Sequence, residues 1–198
     1  MKIVGFVGMP GSGKSAAAEV AREMKIPVVV MGDVIREEAA ARGLPPTDKN
    51  LGAVGNDLRE REGPDAIAAR CLAKIRETKA PVVVVEGIRS KSEVDLFRES
   101  SNDFSLIEVF VPDEVRLARI SSRGRSDDAN ESDLAKAVAD RDARELGWGM
   151  GEAIRAADTR IENSGSVVEF RGRVREVLEG KSKGSEFCSS KKPPSEQT

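Results

Sequence analysis

The sequence predicts an α/β fold of three layers, a parallel sheet wound on both faces by helices. Three observations lead there. Continuous β-branched runs bounded by Gly or Pro occur at 2–8 (KIVGFVG) and 81–87 (PVVVVEG), as in strands covered on both faces. Helical stretches alternate with such runs, as crossovers between parallel strands require. A glycine-rich loop follows the first run, at the strand end where open parallel sheets place their ligands.

The elements follow in order. After the first strand comes a helix at 14–24. A shorter strand at 27–31 (PVVVM) leads into helical stretches at 33–42, 48–61 and 64–78. GLPPT and EGP punctuate helices here rather than strands, so 33–78 reads as a helical insert. The third strand is followed by a helix at 91–99. The fourth, at 105–111 (SLIEVFV), is followed by helices at 113–123 and 131–146. A weaker fifth strand at 158–163 (DTRIEN) precedes a last helix at 166–179. Residues 1–180 are expected to form one domain. Ser, Lys, Gly and Pro dominate 181–198, which is expected to be a disordered tail because it cannot build a core.

Composition removes several kinds of chemistry. The chain has 198 residues, a net charge of −2, two cysteines, and no histidine or tyrosine. Histidine-based acid–base and nucleophilic catalysis is therefore excluded. Cys71 and Cys188 lie far apart, without the spacing of a disulfide framework or zinc site. The balanced charge carries no footprint for nucleic acid. No apolar run reaches the roughly 20 residues of a membrane span, and the start lacks the form of a secretory leader. A cytoplasmic protein without nucleic-acid or membrane partners is expected.

The first loop carries the strongest motif. GMPGSGKS, Gly8 to Ser15, fits G-x-x-x-x-G-K-[ST] between a strand and a helix. Gly8, Gly11 and Gly13 let backbone N–H groups converge on phosphate oxygens. The following helix turns its positive end to them. Lys14 is expected to reach the β- and γ-phosphates, and Ser15 to ligate Mg²⁺. The whole segment Gly8, Met9, Pro10, Gly11, Ser12, Gly13, Lys14, Ser15 and Ala16 is expected to bind ATP.

Three further stretches bear charge at strand ends. In MGDVIREE, Asp33 and Arg36 share a helix face. They suit orienting a hydroxyl or clamping an acceptor phosphate, or they form an N-cap with an ion pair. In VVVVEGIRS, Glu86 ends a strand as the natural acid for Mg²⁺ through a bound water, or as a strand-end acid paired to Arg89, which follows on the loop. In DEVRLARISSRGR, Arg116, Arg119 and Arg123 share one face, so an anion is expected among them. Arg141 and Arg144 add to this set as a cationic lid over the transferred phosphate, or as a solvated charged face with Asp127, Asp128, Asp140 and Asp142. Asn163, before a turn and helix, is placed at the wall for an adenine.

Taken together, GMPGSGKS, MGDVIRE, REREGPDAIAARC, VVEGIRS, RGRSDD, DRDARELGWG and NSGSVVEF resemble the P-loop nucleoside monophosphate kinase superfamily. The likeness is nearest to archaeal adenylate-kinase-related, dephospho-CoA-kinase-like proteins. It implies a P-loop kinase fold with a five-stranded sheet in order 2-3-1-4-5, an acceptor-binding insert at 33–78 and a short lid at 119–145. By the same resemblance Arg36 and Arg89 hold an acceptor monophosphate, Arg119 and Arg123 hold ATP phosphates, and Asp33 matches the base of dephospho-CoA kinases. The sequence departs from adenylate kinase in having EGIR rather than D-G-F-P-R after the third strand, and it lacks the zinc-type lid.

The resulting expectation is a Mg²⁺-dependent ATP phosphotransferase, a monomer or homodimer, acting on a small phosphorylated acceptor such as a nucleoside monophosphate. Its catalytic residues would be Lys14, Asp33, Arg119 and Arg123. Arg36, Arg89 and Arg141 would bind the acceptor, and Ser15 and Glu86 the metal. Transfer to a nucleotide hydroxyl and a nucleotide-sensing regulatory ATPase are the alternatives.

Overall fold

A computed structural model describes residues 1–122 and 131–181. Arg123 and residues 182–198 of the expected tail lie outside the described residues. Five strands, β1 (Lys2–Val7), β2 (Val28–Val30), β3 (Val82–Ile88), β4 (Phe104–Phe110) and β5 (Thr159–Glu162), form one sheet in the order β2-β3-β1-β4-β5. Every pairing is parallel.

The alternation of side chains across the sheet explains the two-sided cover. Ile3 and Val7 of β1 and Val83 and Val85 of β3 face one core. Val4 and Phe6 of β1 and Val84 of β3 face the other. The first core is closed by α2 (Met31–Ala41), α3 (Asp48–Glu62), α4 (Ala66–Thr78), α5 (Lys91–Ser100) and α8 (Met150–Arg155). The second is closed by α1 (Lys14–Glu23) and α9 (Val167–Leu178). The remaining helices are α6 (Asp113–Ser122) and α7 (Glu131–Gly147).

Helix starts are written locally. Ser90 with Glu93, and Ser166 with Glu169, make reciprocal capping boxes for α5 and α9. Thr47 accepts from the Asn50 N–H at the start of α3. By contrast, α1 starts at Gly13 with no side-chain cap.

Two details differ from expectation. The helix after β2 starts at Met31 rather than Asp33, because Val30 with extended backbone already serves as its N-cap. Asp33 is therefore a first-turn residue, not the cap. Helix α8 was not anticipated, since six residues are too few to display a helical period. Lys181 is held against the last helix by its N–H to the Glu176 carbonyl.

Candidate functional site

The loop between β1 and α1 is shaped by close neighbours. Gly11 and Gly13 have φ of 81° and 109°, which disfavours any side chain. A Cβ on Gly11 would meet Arg116 Cγ at 2.9 Å, and one on Gly13 would collide with the Asn163 amide. Asn163 in turn donates from Nδ2 to the Ser12 carbonyl at 2.8 Å. Arg116 is buried and braces the loop by donating to the Pro10 carbonyl at 3.3 Å.

Lys14 folds back over this loop. Its Nζ donates to the carbonyls of Gly8 at 2.5 Å and Met9 at 3.1 Å. Burial lowers its pKa to about 8, against the opposing pull of Glu145 and Glu86. The Ser12 hydroxyl is buried without a hydrogen-bond partner among the described residues. Ser15 Oγ donates to Glu86 Oε1 at 3.2 Å, bringing a hydroxyl and a carboxylate together at the end of β3. Ala16 follows in the first turn of α1.

These groups fit the cofactors expected. The uncapped α1 start, the glycine-shaped loop and Lys14 suit phosphate oxygens. Among the described residues no group of three or more His, Cys, Asp or Glu could hold a metal. The Ser15–Glu86 pair, 3.2 Å apart, would suit a Mg²⁺ that takes the rest of its shell from phosphates and water.

Across the carboxyl edge of the sheet lies a cleft lined by Gly32, Arg36, Arg89, Arg141, Arg144 and Trp148, among others. Arg36 follows β2 and Arg89 follows β3, whereas Arg141 and Arg144 lie on α7 and Trp148 in the turn after it. Gly32 and Gly52 leave room for guanidinium groups: a Cβ there would stand 3.3 Å from Arg36 Nη1 and 3.2 Å from Arg144 Nη1. Arg36 pairs with Asp33 at 2.5 Å, both half-exposed. Arg144 pairs with Asp48 across to α3 at 2.9 Å.

Two cleft residues have roles that the sequence reading missed. Glu145 is buried, 3.2 Å from Arg141 Nε and 3.7 Å from Arg89 Nε. Burial raises its carboxyl, but Arg89, Lys14 and Arg141 outweigh that and hold it below the usual range. Trp148 gathers three guanidinium groups, those of Arg59, Arg89 and Arg144, at 4.4, 5.6 and 5.7 Å from its ring centroid. Its indole N–H donates to Asn56 Oδ1 at 2.7 Å. The RELGWG string held the only signal for them.

The arginines of α6 need a correction. An anion was expected among Arg116, Arg119 and Arg123. Arg116 instead meets internal carboxylates, Asp142 at 2.6 Å and Asp113 at 3.1 Å, so its charge is already balanced. Arg119 donates to the Asn163 carbonyl at 2.7 Å, on the loop and α9 side. Arg123 lies outside the described residues.

A parallel sheet in this order, with the GKS loop between its central strand and α1, defines a P-loop protein of kinase-like fold. Residues 7–135 match the AAA domain family. A UPF0200 protein of Methanothrix thermoacetophila is 61% identical over 190 residues, covering 96% of this chain and all of that one. Another from Methanosarcina acetivorans is 54% identical over 179 residues, covering 90% and 94%. The chain belongs to the UPF0200 family.

Among solved structures, TT1252 from Thermus thermophilus matches with a TM-score of 0.60 at 21% identity, covering 92% of this chain and 98% of that one. Shikimate kinase from Aquifex aeolicus matches with a TM-score of 0.52 at 18% identity, covering 92% and 99%. At such identities the likeness establishes the fold alone. Among the described residues no helix is long and apolar enough to cross a membrane.

Proposed function

We propose that the protein is a Mg²⁺-dependent ATP phosphotransferase whose acceptor is a small phosphorylated molecule, with a nucleoside monophosphate as the first choice. One observation carries this reading. Four arginines, Arg36, Arg89, Arg141 and Arg144, line a single cleft that shares Glu145 electrostatically with Lys14 of the phosphate loop. A loop for donor phosphates and a cationic cleft beside it are what transfer to an anionic acceptor needs.

Each residue then has a task. The loop amides and Lys14 bind and neutralise the donor's phosphates. Ser15 and Glu86 would hold Mg²⁺, which supplies charge neutralisation at the transferring phosphate when bound. Arg36, Arg89 and Arg141 hold the acceptor, with Arg144 beside them. Arg119 and Asn163 border the donor site, where the exposed Val167 and Val168 offer an apolar rest for a base. Residues 33–78 serve as the acceptor-binding insert; of the lid at 119–145, residues 123–130 lie outside the described residues. Rate enhancement comes from positioning and electrostatics.

A second reading has transfer to a hydroxyl, as in dephospho-CoA kinases. It is favoured by the half-exposed Asp33 carboxylate beside Arg36, which can accept a proton. One solved neighbour is a shikimate kinase in complex with shikimate.

Labelled ATP offered with AMP, CMP, UMP, GMP and dephospho-CoA tests both, with Lys14→Ala as control. Label transfer to any acceptor, lost in Lys14→Ala, supports the reading. ATP hydrolysis without transfer overturns it in favour of a regulatory ATPase. Asp33→Asn separates the two acceptors: a severe loss of rate marks a hydroxyl, a mild one a phosphate.

A further inference from the structure

Three guanidinium groups repel one another and still converge on one ring. Arg59, Arg89 and Arg144 stand 4.4, 5.6 and 5.7 Å from the Trp148 ring centroid. Each also has a carboxylate nearby. Arg59 meets Glu93 at 2.9 Å and Arg144 meets Asp48 at 2.9 Å. Glu145 stands 3.7 Å from Arg89 Nε, beyond hydrogen-bond reach, and it also acts on Lys14 and Arg141. The carboxylates do not account for the whole arrangement. The Nε–H groups of Arg59 and Arg144 are buried without a hydrogen-bond acceptor among the described residues. Both belong to guanidiniums beside the indole, whose electron-rich face attracts them.

The ring is itself fixed. Its N–H donates to Asn56 Oδ1 on α3 at 2.7 Å. The Trp148 backbone N–H donates to the Arg144 carbonyl at 3.2 Å, and Gly149 follows with a φ of 97°, a turn that a side chain would disfavour. Arg59, the nearest of the three guanidiniums, is anchored by the buried Glu93 and by the Gly55 carbonyl. The indole is thus tied to the insert, and it lines the cleft together with Arg89 and Arg144.

We propose that Trp148 is a positioning residue of the acceptor cleft, holding Arg89 and Arg144 in place for the acceptor's phosphate. The proposal rests on the acceptor-site reading above and deepens it. A carboxylate orients a guanidinium by taking up its N–H donors. An aromatic face orients one without accepting from all of them. Arg89 can therefore be held and still offer a planar, bidentate grip on phosphate. The bond to Asn56 ties that orientation to the insert. Trp148 acts through the arginines and touches no reacting atom.

The full chain, with its loop saturated by a non-hydrolysable ATP analogue and Mg²⁺, is titrated with inorganic phosphate, and binding is read from the broadening of the phosphate ³¹P line. Calorimetry gives the affinity of each variant for the analogue. Trp148→Leu keeps apolar bulk and loses the aromatic face. Trp148→Phe keeps the face and loses the N–H. Phosphate binding should weaken on the order of tenfold in Trp148→Leu, and Trp148→Phe should recover most of that loss. Both should bind the analogue as the wild type does.

Phosphate affinity in Trp148→Leu equal to that of the wild type, or to that of Trp148→Phe, overturns the role of the ring while leaving the cleft in place. So does a loss shared equally by phosphate and analogue, the mark of a merely structural residue. Asn56→Ala, at an exposed position, keeps the proposal testable if Trp148→Leu does not fold. It should weaken phosphate binding about two- to threefold by releasing the indole, and unchanged affinity there overturns the proposal. If the analogue binds but phosphate is not broadened by the wild type, the acceptor site itself is refuted, and the proposal with it.

Discussion

Glu93 offers the sharpest stability test, because one carboxylate holds three elements together. It is fully buried. One oxygen accepts from Arg59 Nη2 of α3 at 2.9 Å, and the other from the N–H groups of Arg89 and Ser90 at 2.7 and 3.2 Å. Burial pulls the Arg59 guanidinium below its ordinary pKa even with Glu93 beside it, so Arg59 depends on this partner. Glu93→Gln removes the charge and turns an amide N–H₂ toward existing donors. Breaking a buried pair costs about 3–5 kcal/mol. Arg59 keeps the Gly55 carbonyl at 3.1 Å and the Trp148 ring at 4.4 Å, which places the cost near the lower end, about 3 kcal/mol. For a domain of this size that lowers Tm by about 6–12 °C.

Urea unfolding followed by far-UV circular dichroism measures it, with Asp95→Asn as a control on the same helix. The Lys91–Asp95 pair is exposed and its loss should cost less than about 0.5 kcal/mol. The double variant Arg59→Met/Glu93→Leu should recover part of the loss, since replacing both buried charges removes their desolvation. A loss in Glu93→Gln no greater than that of the control would refute the claim that this carboxylate ties the insert to the Arg89 corner.

Other outcomes follow from the site. Asn163→Ala deletes the buried bond to the Ser12 carbonyl and should lower stability by about 1–2 kcal/mol while weakening nucleotide binding; calorimetry that finds binding unchanged separates Asn163 from the loop. Lys14, at about 8, is largely protonated at pH 7 and binds phosphate in that form. Affinity for an ATP analogue should be flat below pH 8 and fall by up to about tenfold per pH unit above it, with proton uptake on binding at pH 9 in two buffers of different ionisation enthalpy. Burial pushes the Cys71 thiol up to about 12, so at pH 8 only about one molecule in ten thousand carries the thiolate. In a Cys188→Ser background iodoacetamide should leave the folded protein unlabelled at pH 8 and label it in urea.

The strands and most helices were legible because their signals are local. Continuous Val and Ile runs marked β1 and β3, and Gly and Pro marked their ends. The GKS loop was legible for the same reason. Helix α2 began two residues early because Val30, not the more obvious Asp33, closes the strand. What the residues did not disclose was partnership over long separations. Arg144 meets Asp48 only when α7 crosses α3, and Arg116 was read as a phosphate ligand because Asp142 reaches it only after α7 folds back. Glu145 is singled out only in the fold, by burial and by Arg89, Lys14 and Arg141 around it.

The order of the strands bears on how the chain is made. β1 is paired on one side with β3 and on the other with β4. β1 precedes both neighbours in the chain and therefore waits without a hydrogen-bonded partner until residue 88 has emerged, and its second edge until residue 110. Its backbone edges stay unpaired over that interval, although α1 can already cover the Val4 and Phe6 face, and unpaired strand edges invite aggregation. The phosphate loop precedes Arg116 and Asn163 in the chain, yet its geometry depends on both and is completed only after they have emerged. A nascent chain arrested before residue 163 should thus carry the loop's sequence without the bond from Asn163 to Ser12 that braces it.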